Sequence, residues 1–144
     1  MIGLKATVSF DGRGLAKRMD SGIRAVLMRF GAFVRRRAQT SMRKAPKGKV
    51  SEPGSPPRYH TKQLRNAIAF NYDPSRRVVI GPTLAGKRPK GRATGPEVLE
   101  AGGRVPTKRG AADYKARPYM LPAFKAELQS IDKLWNNILD KTKG

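Results

Sequence analysis

Cysteine is absent from the 144-residue chain, which excludes disulfides, thiolate nucleophiles and zinc-thiolate centres. Histidine occurs once, at His60, beside Arg58 and Tyr59. No second histidine or paired carboxylate stands at ligand or acid-base spacing from it, so the chain is expected not to be an enzyme and to need no cofactor. GPTLAGKRP sets a lysine after a glycine but lacks the Gly-x-x-x-x-Gly-Lys-Ser/Thr order of a phosphate loop. Acids are scarce as well: 10 against 31 lysines and arginines, a formal net charge of +21. That excess goes beyond what solubility requires and points to a polyanion or an acidic protein surface as neighbour. Long apolar runs are missing too. Nowhere do about 18 apolar residues follow one another, and MIGLKATVSF has no signal-peptide run, so the chain is expected to be soluble, with no membrane partner.

The length fits one domain over residues 1–144. Ile2, Leu4, Ala6, Val8 and Phe10 alternate with small or polar residues, which predicts a strand, followed by a turn at Asp11, Gly12 and Gly14. From Leu15 the spacing becomes three or four. Leu15, Met19, Ile23, Val26, Leu27, Phe30, Val34 and Ala38 share one face of a long helix ending near Lys44, ahead of Pro46 and Gly48. Its polar face carries Lys17, Arg18, Arg24, Arg29, Arg35, Arg36, Arg37 and Arg43, with Asp20 almost the only acid. Arg35, Arg36 and Arg37 are consecutive, spread over a wide arc and repel one another. An anionic neighbour would relieve that repulsion, either DNA or, in preference, an acidic protein surface.

The chain then enters SEPGSPPRYHTKQLRNAI. Pro53, Gly54, Pro56 and Pro57 forbid a helix or central strand and predict an extended arm over 46–60. A stiff arm with exposed backbone suits docking on a neighbouring subunit, through Pro53, Pro56, Pro57, Arg58 and Tyr59. Thr61 is placed to cap a short helix. Ile68–Tyr72 and Arg77–Ile80 read as a hairpin closed by Asp73, Pro74 and Ser75, and the run Val78, Val79 and Ile80 predicts cover on both faces. Two stretches rich in Gly, Pro, Lys and Arg, 84–96 and 104–115, read as basic loops ordered only on a partner. Their Lys87, Arg88, Lys90, Arg92, Lys108 and Arg109 are the candidate contacts to DNA or an acidic protein. Between them Glu97–Ala101 reads as a helical piece stopped by Gly102 and Gly103. Ala116–Pro122 reads as an edge strand, and Pro122 opens a closing helix through Phe124, Leu128, Ile131, Leu134, Trp135, Ile138 and Leu139, with Trp135 as a core anchor. The fold class expected is therefore α+β: an N-terminal strand, a long helix, a small antiparallel sheet and a closing C-terminal helix.

In order, EPGSPPRYHTKQLRNAI, PEVLEAGG and ARPYMLPAF resemble the motifs of the gene-ten-like tail-completion family of long-tailed double-stranded DNA phages, related to the minor tail proteins called Z. The chain departs from that pattern at Lys62 (usually Gly), Ala67 (Ser), Ala101 (Phe) and Tyr119 (Phe). The resemblance implies a structural protein of the virion neck, assembled in the host cytoplasm. It would form a homo-oligomeric ring around the DNA channel between the head-tail connector and tail terminator proteins. It also implies that Arg117, Pro118 and Tyr119 belong to a subunit or partner interface. The alternative is a free basic nucleic-acid-binding protein, although no zinc finger, homeodomain or stacking-aromatic motif accompanies the charge.

Overall fold

A computed structural model describes residues 12–83, 94–107 and 110–141. The strand expected before residue 11, most of the first basic stretch, and Lys87, Arg88, Lys90, Arg92, Lys108 and Arg109 lie outside them. The fold is α+β. Its order is α1 (Gly12–Ser41), α2 (Gln63–Ala67), β1 (Ile68–Asp73), β2 (Arg77–Pro82), α3 (Gly95–Ala101), β3 (Gly103–Thr107), β4 (Gly110–Tyr114), α4 (Met120–Leu128) and α5 (Ile131–Lys141). No helix among the described residues is long and apolar enough to cross a membrane.

The β1–β2 hairpin, α2, α4 and α5 pack on α1, a rod of 30 residues and therefore about 45 Å long. Val26, Phe30, Val34, Ala38 and Met42 recur every fourth residue and are buried, as their spacing requires. The helix starts at Gly12, absorbing the expected turn, and stops at Ser41. There the Thr40 and Ser41 hydroxyls donate to the carbonyls of Arg37 and Ala38, at 3.0 and 2.8 Å. Met19, expected on the core face, is 59% exposed. This end of α1 meets the β1–β2 turn through an Asp20–Arg76 ion pair of 2.7 Å rather than an apolar layer.

The β1–β2 hairpin forms as expected, antiparallel with Phe70 opposite Ile80 and Asp73 opposite Arg77. Asp73 closes the turn. One carboxylate oxygen accepts the Ser75 N–H at 2.9 Å and the other accepts from Arg77 at 2.8 Å. The Ser75 bonds, then Arg77, hold this carboxyl below its ordinary 3.8. One face of the hairpin lies on α1 at Gly31, where an added Cβ would stand 2.8 Å from the Phe70 ring and 2.9 Å from Val78. The expectation that Val78, Val79 and Ile80 are covered on both faces fails: Val79 is 65% exposed. A two-stranded sheet with a helix on one side leaves alternate residues of β2 to solvent.

Four further expectations are corrected. The second basic loop is largely a hairpin, β3 against β4, with half-buried Val105 opposite Ala112. Ala116–Pro122 is not an edge strand; Ala116–Pro118 is irregular and α4 begins at Met120. The closing helix is two helices, α4 and α5, broken at Gln129 and Ser130, where the Ser130 N–H bonds the Glu127 carbonyl at 2.9 Å. Thr61 does not cap α2: Lys62 occupies the cap position, with no side-chain hydrogen bond. Glu97–Ala101 is helical and stops at Gly102, but the helix begins earlier, at Gly95. Tyr119, Ala123 and Leu134 join the α1 core, and Trp135 packs against it half-buried.

Candidate interaction surface

The three motifs, some 65 residues apart at their extremes, converge on one clamp. α3 is fixed first by its own capping box. The Thr94 side chain accepts from the backbone of the first turn, and the Thr94 N–H donates to Glu97 at 2.8 Å. That orients Glu100 at the helix end. Its carboxylate accepts the backbone N–H groups of Tyr119 at 2.9 Å, Met120 at 3.0 Å and Leu121 at 2.8 Å. These are the orphan donors at the start of α4, capped here by an acid from another helix. This contact explains why a helix begins where proline spacing suggested an edge strand.

Beside it the Arg117 N–H reaches the Leu99 carbonyl at 2.6 Å. The Arg117 guanidinium donates to the carbonyls of Ser51 at 2.9 Å and Lys115 at 3.4 Å. The Gly54 N–H adds a bond from the arm to the Ala116 carbonyl at 2.8 Å. Gly102 lets the chain turn back between the pieces, with φ +73° and the backbone of Tyr114 and Ala116 close by. Tyr119 is buried in the core, so in ARPYMLPAF the tyrosine and the arginine serve their own chain's fold rather than an exposed face.

Burial, and next the Glu100 carboxylate, pushes the Tyr119 phenol up from 10.0 to about 12. Because the folded value lies above the unfolded one, stability is complete below pH 10 and falls as pH rises from 10 towards 12. The loss should be about 2 kcal/mol near pH 11.5. Urea titrations at pH 9 and pH 11.5 should show Tyr119→Phe losing less stability over that interval than the native chain, whatever the lysines contribute to both.

The arm is tied to its own domain along its length. Tyr59 bridges in parallel to Lys44, with its N–H on the Arg43 carbonyl at 3.0 Å and its carbonyl accepting from Ala45 at 2.9 Å. Pro57 is buried, Pro56 half-buried, and the Tyr59 ring lies under Arg65 at 5.7 Å. What the arm presents outward is its start, residues 46–50, then Glu52, Pro53, Gly54, Ser55, Arg58 and His60.

The three consecutive arginines prove to be unlike one another. Arg35 donates to the Ile68 carbonyl at 2.9 Å, joining α1 to the start of β1, and Arg37 pairs with Glu127 of α4. The expectation that all three lack acids and internal partners is therefore corrected. Only Arg36 of the trio has no such partner among the described residues. It lines a groove of about 480 Å³ with Phe33, Arg37, Thr40, Glu127 and Ser130. Sequence reasoning overlooked Glu100, Glu127 and Phe33. The only hint was that Glu100 sits inside PEVLEAGG, one of the motifs already singled out.

No protein-family model matches this chain, and neither a curated protein nor a solved structure matches it.

Proposed function

We propose that this chain is a structural subunit of the neck of a long-tailed double-stranded DNA phage, one copy in a ring that joins the head connector to the tail around the DNA channel. What carries the reading is the clamp. The third motif of that resemblance is hydrogen-bonded to each of the other two, Ala116 to Gly54 of the first, and Arg117, Tyr119, Met120 and Leu121 to Leu99 and Glu100 of the second. A chance likeness of three short segments gives no reason for them to meet. The charge supports an anionic surrounding. Five of the ten acids, Asp20, Asp73, Glu97, Glu100 and Glu127, are engaged within the chain, and among the described residues most of the lysines and arginines have no ion-pair partner. The subunit works by shape and charge, with no catalytic step, alongside connector and tail terminator proteins in the virion.

Particles assembled without the chain should accumulate as DNA-filled heads and separate tails in electron micrographs. Joined, infectious particles in its absence would overturn the proposal. Tight binding of duplex DNA by a small free species, together with absence from purified particles, would favour the free nucleic-acid-binding alternative instead.

A further inference from the structure

The groove between α1 and α4 combines exposed apolar surface with unpaired positive charge. On α1, Arg29, Phe33, Arg36 and Thr40 follow at i, i+4, i+7 and i+11 and are all exposed, Phe33 at 42%. On α4, Leu121, Phe124 and Leu128 follow at i, i+3 and i+7, exposed at 52%, 39% and 45%. Two contacts set the helices side by side: the Phe30 and Phe124 rings, edge to face at 5.4 Å, and the Arg37–Glu127 pair. The groove of about 480 Å³ opens at that seam. Its one acid is already engaged by Arg37, so Arg36 is left as an uncompensated charge in a groove that also presents Phe33.

We infer that this groove receives an acidic amphipathic segment of a partner protein, its carboxylates against Arg36 and its apolar side chains against Phe33 in the groove and the exposed Phe124 and Leu128 of α4. The charge decides between occupants. A second copy of this chain is a poor fit, because the described acids not engaged above, Glu52, Asp113, Asp132 and Asp140, are spread over the arm, β4 and α5 rather than gathered on one face. DNA would satisfy Arg29 and Arg36 but has no use for the exposed apolar side chains of Phe33 on α1 and of Phe124 and Leu128 on α4. An acidic segment with leucine or phenylalanine at helical spacing satisfies both halves of the surface. The inference deepens the ring reading by naming the partner chemistry on this face, and rests on that reading only for the partner being a neighbouring virion protein.

The test is selection of peptides from a random display library on the full chain, followed by affinity measurement of the enriched peptides by fluorescence anisotropy. Enrichment of sequences that pair Asp or Glu with large apolar residues three or four apart is expected. Arg36→Glu and Leu128→Ser should each weaken their binding about tenfold, with thermal melting unchanged because both side chains are exposed. Enrichment that follows acid count alone, absence of any enriched peptide, or affinities unmoved by both substitutions would overturn the inference. So would a loss of duplex DNA binding as large as the loss of peptide binding, since that would make the face a phosphate surface. None of these results depends on particle assembly, so failure here is distinguishable from failure of the neck reading.

Discussion

Replacing Glu100 by alanine should cost about 3–4 kcal/mol of folding stability, since it removes three charge-assisted hydrogen bonds and leaves the first N–H groups of α4 without a protein acceptor. An ordinary helix cap is worth roughly 1 kcal/mol because water replaces the lost side chain. Here the cap comes from α3, and Tyr119, one of its three donors, is buried against α1. The loss therefore loosens the packing of α4 on the core as well as one helix end. In thermal unfolding the midpoint should fall by roughly 10 °C. Glu100→Gln should fall between, since an amide oxygen still accepts but carries no charge. Glu97→Ala, which removes only the local capping box of α3, should cost about 1 kcal/mol. If Glu100→Ala costs no more than Glu97→Ala, the clamp is not what holds α4 in place.

Gly102→Ala is expected to have a comparable effect for a different reason. Gly102 adopts φ 73° and ψ −171°, a region open essentially to glycine alone, and a side chain there costs on the order of 1–3 kcal/mol in backbone strain. The new Cβ would also lie 2.9 Å from both the Ala116 nitrogen and the Tyr114 carbonyl oxygen. These are backbone atoms that cannot swing aside as the end of a side chain can. They also belong to the segment that carries Arg117 to Leu99 and Ser51, so relief of the clash would pull those bonds apart. A total of at least about 3 kcal/mol is expected in urea titration. Gly54→Ala is the control. Its φ is +81° with nothing within 4 Å of the added carbon, so it should cost only about 1 kcal/mol.

Local pattern was enough for the parts of the fold whose cause is local. The recurrence every three or four residues from Leu15 to Ala38 made α1 readable, and the Asp73 turn between Ile68–Tyr72 and Arg77–Ile80 made the first hairpin readable. The second hairpin was hidden because its strands bury little: Val105 and Ala112 are only half-buried and the other described residues of both strands are exposed. Its pairing is carried by backbone rather than by an apolar alternation that could be read. The break at Gln129 was invisible for the opposite reason. Phe124, Leu128, Ile131 and Leu134 keep helical spacing straight across it, although Phe124 and Leu128 remain well exposed and Leu134 is buried. The start of α4 depends on Glu100, nineteen or more residues earlier, a partner no window of local periodicity contains.

The candidate surface was legible in its charge but not in its composition. The run Arg35, Arg36 and Arg37 drew attention to this turn of α1, yet sequence could not show that Ile68 and Glu127 claim two of the three. Of the three, Arg36 is left in a groove with Phe33, Thr40 and Ser130, a different chemistry from a uniform basic patch. It asks for a partner that is acidic and amphipathic, where a run of three would ask only for anions.

The most direct measurement of the proposed role is a cryo-EM map of the particle neck from a phage whose virion contains this chain. A ring of copies of this fold between head and tail is expected, each recognisable by the rod of α1, about 45 Å long, with the β1–β2 hairpin on one side and α4 and α5 on another. The α1–α4 groove should be filled by density from a neighbouring protein. A neck fully accounted for by other chains, with no ring of this fold, would contradict the proposal.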